Sequence, residues 1–187
     1  LTRGDANGGF TLGIPLTSRR DDVLAAIGDI TLDLSGGVND LSDFGTLYNW
    51  SAGLNWSPVE NLNLQLSHIY TERAPSLSQL GAPQLVTSGA TIFDIATGRT
   101  AVVDIITGGN PDLVAEKQRD WKIGLNYDLP FFRRSNVIVE YYDESSTDVS
   151  SSFPALTPTI EGAFPGRVVR DAEGNLVSID QRPVTYA

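Results

Sequence analysis

Six stretches of this chain place an apolar residue at every second position. They are Phe10-x-Leu12-x-Ile14-x-Leu16, Ile30-x-Leu32-x-Leu34, Tyr48-x-Trp50-x-Ala52-x-Leu54-x-Trp56, Leu62-x-Leu64-x-Leu66, Trp121-x-Ile123-x-Leu125-x-Tyr127 and Val137-x-Val139-x-Tyr141. The third is the clearest, with Asn49, Ser51, Gly53 and Asn55 between its large side chains. Side chains on a strand alternate between two faces, so each stretch has one greasy face and one wet face. Only Val23 to Ile27 hints at a helical turn. The pattern predicts an all-β chain with strands near 9–16, 28–36, 45–56, 62–70, 119–128 and 136–146.

The connections add orientation. Ser57-Pro58-Val59-Glu60-Asn61 joins the third and fourth stretches, and Leu129-Pro130-Phe131-Phe132-Arg133-Arg134-Ser135 joins the fifth and sixth. A polar run including Thr17-Ser18-Arg19-Arg20-Asp21-Asp22 joins the first and second. Long loops are expected near 71–118 and 147–187. Every second connection reads as long or polar, which would gather the long ones at one end of the sheet. Long structureless loops are uncommon in compact domains. Short turns at one end and long loops at the other is the arrangement of outer-membrane barrels. Within the loops, Ile92–Ile95 and Ala101–Ile105 flank Thr97-Gly98-Arg99 as a hairpin. Arg167–Arg170 and Leu176–Ile179 flank Asp171-Ala172-Glu173-Gly174-Asn175 as a second, with Pro154, Pro158 and Pro165 punctuating the approach.

Composition narrows the partners. The formal charge of −10 and pI near 4.4 argue against nucleic acid, which needs a basic face. There is no cysteine, hence no disulfide framework and no thiolate metal site. There is no methionine either, so Leu1 is expected to be a boundary created after translation. No apolar run reaches the roughly 18 residues of a spanning helix, so a membrane role would have to be a β-barrel role.

Gly108-Gly109-Asn110-Pro111-Asp112-Leu113-Val114-Ala115-Glu116-Lys117, followed by Trp121-Lys122-Ile123-Gly124-Leu125-Asn126-Tyr127, resembles a stretch of TonB-dependent outer-membrane receptors. In that family it leads from an extracellular loop into a barrel strand. Gly53 to Leu62 resembles a periplasmic turn, Thr71 to Leu80 the start of an outer loop, and Arg170 to Val184 a loop hairpin of one subgroup. The resemblance covers roughly Gly45 to Val184. It implies an antiparallel transmembrane β-barrel segment, about six strands of a larger, 22-stranded barrel with a plugged lumen. The chain, 1–187, is then expected to be one partial barrel domain from the middle to later part of the barrel, without the plug domain or the closing strands. The implied function is binding and import of a scarce solute, a siderophore, saccharide or similar, at the outer membrane of a Gram-negative cell. The implied partners are outer-membrane lipid, the remaining barrel strands and plug from the same or another chain, and the TonB energy-coupling machinery acting through the plug. A soluble secreted β-sandwich binding module is the alternative, its two sheets burying the apolar phase against each other.

Catalysis finds little support. His68 is the sole histidine and lies in phase with Leu62, Leu64 and Leu66, where an interfacial or structural role suits it. No catalytic, cofactor-binding or metal-ligating residue is therefore expected, and no enzyme activity. Asp171-x-Glu173-Gly174 lacks the spacing and late glutamate of a calcium loop. Tyr48, Trp50, Trp56, Tyr70, Trp121, Tyr127 and Tyr141 share the apolar phase, as interfacial girdles would. The polar phase supplies the candidate lumen-facing residues Asn49, Asn55, Asn63, Gln65, Lys122, Asn126 and Glu140. Arg73, Arg99, Arg119 and Arg167, in or beside the long loops, are the candidate contacts to an anionic ligand.

Overall fold

The computed structural model describes residues 2–19, 24–132 and 135–186. Arg20, Asp21, Asp22 and Val23 of the first connection and expected helical turn, and Arg133 and Arg134 of the last short one, lie outside the described residues. In chain order the strands are β1 Asp5–Thr17, β2 Asp29–Leu41, β3 Gly45–Val59, β4 Leu62–Arg73, β5 Leu85–Asp94, β6 Arg99–Thr107, β7 Glu116–Asp128, β8 Asn136–Thr147, β9 Val149–Ser151, β10 Val168–Arg170, β11 Leu176–Asp180 and β12 Val184–Tyr186. Two short helices, α1 Leu77–Gly81 and α2 Pro158–Ala163, and a 3-10 turn at Ala25–Ile27 complete the described elements. None of these helices is long and apolar enough to cross a membrane. The architecture is all-β, as the alternation predicts.

The chain divides into two units. The sheet unit, Arg3–Ala74 with Ala115–Thr147, is one antiparallel sheet in the order β1-β2-β3-β4-β7-β8. Its register is continuous across all six strands. Ile14, Leu32, Leu54, Leu66, Ile123 and Tyr141 form one cross-strand row. The next row is Gly13, Asp33, Gly53, Ser67, Lys122 and Tyr142, and it faces the other way. A slip of one residue would exchange the two faces, so the alternation excludes odd slips, and the turns fix which of the remaining registers forms.

Several strands run further than the apolar pattern suggests. β1 begins at Asp5, β2 continues to Leu41, β4 to Arg73, and β7 begins at Glu116. In these extensions Gly, Asn and charged residues replace the large apolar ones, as in Gly37-Val38-Asn39-Asp40. Backbone pairing continues regardless, because ladder hydrogen bonds need no apolar side chain. The alternation of connection lengths is a correction. The run from Ser18 to Gly28 lies at the same end of the sheet as the tight β3–β4 turn at Glu60-Asn61. The three-residue β2–β3 turn, Ser42-Asp43-Phe44, lies at the end where β4 finishes and β7 starts.

The loop unit, Pro75–Val114 with Asp148–Ala187 and the first two residues, has its own architecture. A four-stranded sheet runs β10-β11-β6-β5, and β9 pairs with β12. β5–β6 and β10–β11 are the two hairpins readable in the sequence. The parallel pairing of β11 with β6, Ile179 opposite Ile105, joins them. Val103, Leu176 and Ile179 form the buried core, with Ile92, Ile105, Phe153 and Leu156 packed on it. α1 starts at a capping box: Gln79 N–H donates to the Ser76 hydroxyl, and the Gln79 side chain accepts from Ser76 N–H at 2.9 Å. α2 starts at Thr157 with Pro158 in its first turn.

Candidate functional site

The polar face of the sheet unit gathers all seven lumen candidates. Register sets Asn55 opposite Gln65, and Asn63 opposite Asn126. It sets Gly124 between Gln65 and Glu140, and Ser67 opposite Lys122. Asn49 pairs with Thr71 on the same face. These side chains bond across strands. Asn55 Nδ2 donates to Asp33 at 2.9 Å, Asn63 Nδ2 to Ser57 Oγ at 3.0 Å, and Asn136 Nδ2 to Asn126 Oδ1 at 3.3 Å. Lys122 Nζ lies 2.9 Å from Glu140 and 5.0 Å from the centre of the Tyr142 ring. Tyr142 donates to the same carboxylate at 2.9 Å. Asn55, Asn63, Asn126, Lys122 and Glu140 are thus each engaged by a polar side chain on the neighbouring strand. Asn39 Oδ1, by contrast, is buried with no hydrogen-bond partner among the described residues. It borders a shallow hollow that includes Asn7, Gly9, Gly37 and Asn49.

The opposite face is apolar and uncovered. Phe10, Tyr48, Trp50, Trp56, Trp121, Ile123, Val139 and Tyr141 are all exposed there. All seven aromatics singled out in the sequence share this face. Six of them fall in two bands, and Tyr141 lies in the central row between. Tyr48, Trp50, Tyr70 and Trp121 lie toward one end of the strands, and Trp56 and Tyr127 toward the other. His68 belongs to the first band, stacked on Trp121 at 4.2 Å and edge-on to Trp50 at 4.9 Å. Its Nδ1 is buried without a partner among the described residues.

The four candidate loop arginines divide between the two units. Arg73 and Arg119 belong to the sheet unit, Arg99 and Arg167 to the loop unit. Arg119 is a strand residue on the apolar face, its guanidinium 5.8 Å from the Tyr70 ring centre. Arg73 ends β4 on the polar face, opposite Glu116. Arg167 is engaged by Asp180 at 3.0 Å. Arg99 is exposed beside a hollow of about 330 Å³ lined by Asp94, Thr97, Thr100, Asp171 and Asn175.

The arginine that organises the loop unit is Arg170, which is not among the four candidates the sequence supplies. Its Nε and Nη2 donate to Glu161 at 2.7 and 2.8 Å. Its Nη1 and Nη2 donate to Asp94 at 2.8 and 3.1 Å, and Nη1 also to the Gly174 carbonyl at 3.0 Å. Every N–H of the guanidinium has an acceptor. Asp94 also accepts from Ala96 N–H and the Thr97 hydroxyl, closing the β5–β6 turn. The Arg170 bonds, helped by these two, hold the Asp94 carboxyl well below the usual carboxylate range, against the opposing effect of burial. Glu161 is lowered by the same arginine. Nothing local signals this triad, because Asp94 and Arg170 are 76 residues apart.

The Gly108-Gly109-Asn110 motif proves to be packing machinery. A Cβ on Gly109 would fall 2.6 Å from Ala82 N, and one on Gly108 would fall 2.6 Å from the Pro83 carbonyl. Gly108 also has φ +129°, which L side chains rarely adopt. Asn110 is buried, donates to the Pro183 carbonyl at 2.9 Å and accepts from Asp112 N–H at 3.1 Å. The motif thus clamps three separated segments of the loop unit. Among the described residues, no group of three or more His, Asp or Glu is placed to hold a metal.

Comparison with known proteins adds an independent line. Residues 17–174 match the family model described as TonB dependent receptor-like, beta-barrel. No curated protein matches the chain. Among solved structures, the siderophore receptor PirA from Acinetobacter baumannii matches 98% of this chain and 24% of its own, at 14% identity and TM-score 0.62. PirA from Pseudomonas aeruginosa matches 98% of this chain and 29% of its own, at 16% identity and TM-score 0.55. A variant of the ferric enterobactin receptor PfeA from Pseudomonas aeruginosa matches 84% of this chain and 20% of its own, at 17% identity and TM-score 0.58. The chain therefore spans less than a third of the length of these receptors.

Proposed function

Because the chain belongs to the family of TonB-dependent receptor-like β-barrels, we propose that it supplies part of the barrel wall and surface loops of an outer-membrane receptor that imports a scarce solute. The observation that carries this reading is the two-faced sheet with its apolar face left exposed. Tyr48 to Trp56 spans eight residue steps, about 26 Å at ~3.3 Å per residue. Tilted by ~40° this becomes about 20 Å, close to the ~25 Å apolar band of an outer-membrane barrel. The aromatic bands then sit at the two membrane interfaces, and the rows between them meet lipid. A soluble β-sandwich would bury this same phase.

On this reading the polar face, with Asn49, Asn55, Asn63, Gln65, Lys122, Asn126 and Glu140, lines the lumen. The unpaired edges of β1 and β8 are continued by further strands of the same or another chain, since each unpaired backbone group in lipid costs several kcal/mol. The plug domain, and the TonB machinery acting through it, complete the transporter. The solved receptors of like fold are siderophore and ferric enterobactin receptors, so a siderophore is the solute to test first, with saccharides next. Of the loop arginines, Arg99 is the one exposed beside a polar hollow and the candidate to meet an anionic ligand. The test has two arms. The protein should fractionate with the outer membrane and need detergent to stay dispersed, and a monodisperse sample in plain buffer ends the lipid-facing assignment. A deletion strain under iron limitation should lose uptake of at least one siderophore of a panel; unchanged uptake of the whole panel removes that substrate class.

A further inference from the structure

We propose that the apolar face of the sheet carries a specific site for a phosphate-bearing lipid, with Arg119 as headgroup contact and an acyl chain in the hollow beside Trp121. The proposal rests on the lipid-facing reading given above. Arg119 lies on the apolar face, in the row Phe10, Gly36, Trp50, Tyr70, Arg119, Ser145. Its described side-chain contact is the Tyr70 ring, and a ring contact uses none of the five N–H donors. Nearby, Glu72 is engaged: it accepts from the Tyr70 hydroxyl at 2.6 Å and from Tyr48 N–H at 2.9 Å. Asp143 stands one row away, opposite Trp121. Arg119 is thus an exposed cation within an aromatic band, its N–H fork without a described acceptor.

Two residue steps along β7, about 7 Å, the face opens into an apolar hollow of about 360 Å³. Leu32, Ala52, Leu54, Leu66, His68 and Trp121 line it. Ala52 creates it: a small side chain in the row where its neighbours are Leu34 and His68. The arrangement has the two parts of an amphiphile, an anion acceptor at the interface and an apolar recess one row deeper. At a membrane interface the abundant anionic acceptor is a headgroup phosphate, and the planar guanidinium fits phosphate with two parallel hydrogen bonds.

The protein, reconstituted in phosphatidylcholine vesicles, is titrated with lipids carrying brominated acyl chains on either a phosphatidic acid or a phosphatidylcholine headgroup. The readout is the emission component that Trp121→Phe removes. Both lipids should quench it, with phosphatidic acid competing about fivefold better, the attraction expected of one basic side chain at an anionic surface. Arg119→Gln should bring the two lipids to parity, and Arg119→Lys should retain most of the preference. Ala52→Leu, which fills the hollow, should weaken both lipids by the same factor. Parity in the unmodified protein, or a preference that survives Arg119→Gln, overturns the lipid site alone. If neither lipid quenches Trp121, the lipid-facing reading itself fails, and the site with it.

Discussion

Ile179 in the loop unit is 1% exposed, and Ile123 in the sheet unit is 50% exposed, although both are isoleucines on β-strands. The contrast is general. Of the buried apolar residues, Val103, Leu113, Leu176, Ile179 and Val184 belong to the loop unit. Among the described residues only Leu41 and Leu47 belong to the sheet unit, and both lie near the β2–β3 turn. The loop unit folds as a water-soluble protein does, closing strands and short helices over an apolar centre. The sheet unit leaves its apolar side chains outside and ties its polar ones together by cross-strand hydrogen bonds. On the proposed lipid-facing reading one chain uses two solvents, and its burial rules reverse between them.

The largest effect that would sharpen this contrast is expected at Arg170. Arg170→Met removes the cation from the buried Asp94 and from Glu161, leaving charges without a partner, and should cost about 3 kcal/mol or more. Hydrogen exchange should show the β5 and β6 amides losing protection while those of β3 and β4 stay unchanged. Equal losses in both units would mean that the two do not fold by separate rules.

A somewhat smaller effect is expected at Ile123, in the middle row of the apolar face. Ile123→Arg should lower stability in lipid vesicles by about 2–4 kcal/mol, read from urea titration. Gln65→Arg, on the opposite face, should change it by no more than about 0.5 kcal/mol. If the two substitutions cost the same, the faces have been assigned wrongly.

Acid gives the mildest test. Asp94 has its folded-state pKa lowered, so its contribution is fully present above the ordinary carboxylate pKa of the unfolded chain. It declines as pH falls below about 4. The loop unit should therefore keep its near-ultraviolet circular dichroism from pH 7 to about 4 and begin to lose it only below. In Arg170→Met the loss should begin at higher pH. An unfolding midpoint near pH 6 in the unmodified protein would contradict the ion-pair account.

How much of this is legible in the chain differs between the units for the same reason. In the sheet unit the faces are set by local alternation, so all seven polar candidates share a face as their spacing indicates, although the β4–β7 pairing bridges the long segment from Ala74 to Ala115. In the loop unit the hairpins are legible, and so, with closer attention, are the helix starts at Ser76-Leu77-Ser78-Gln79 and Thr157-Pro158. The parallel join of β11 to β6 is not, because no hairpin or spacing links residues about 74 apart. The arginines are less legible for the same cause: Arg119, at the expected start of its strand, lies on the apolar face against Tyr70, while Arg170 looks like a turn flank and holds a buried carboxylate.

Side-chain alternation alone is enough to settle the β class and which residues of each strand share a face. It is a local property with period two, and any pairing that kept the turns would preserve it. Folding in three dimensions settled the rest. It left one apolar face open and closed another over Val103 and Ile179, it gave Asp94 its cation, and it turned Gly108-Gly109-Asn110 into a clamp. Those outcomes depend on which distant segments meet, and contact between distant segments carries no imprint in local spacing.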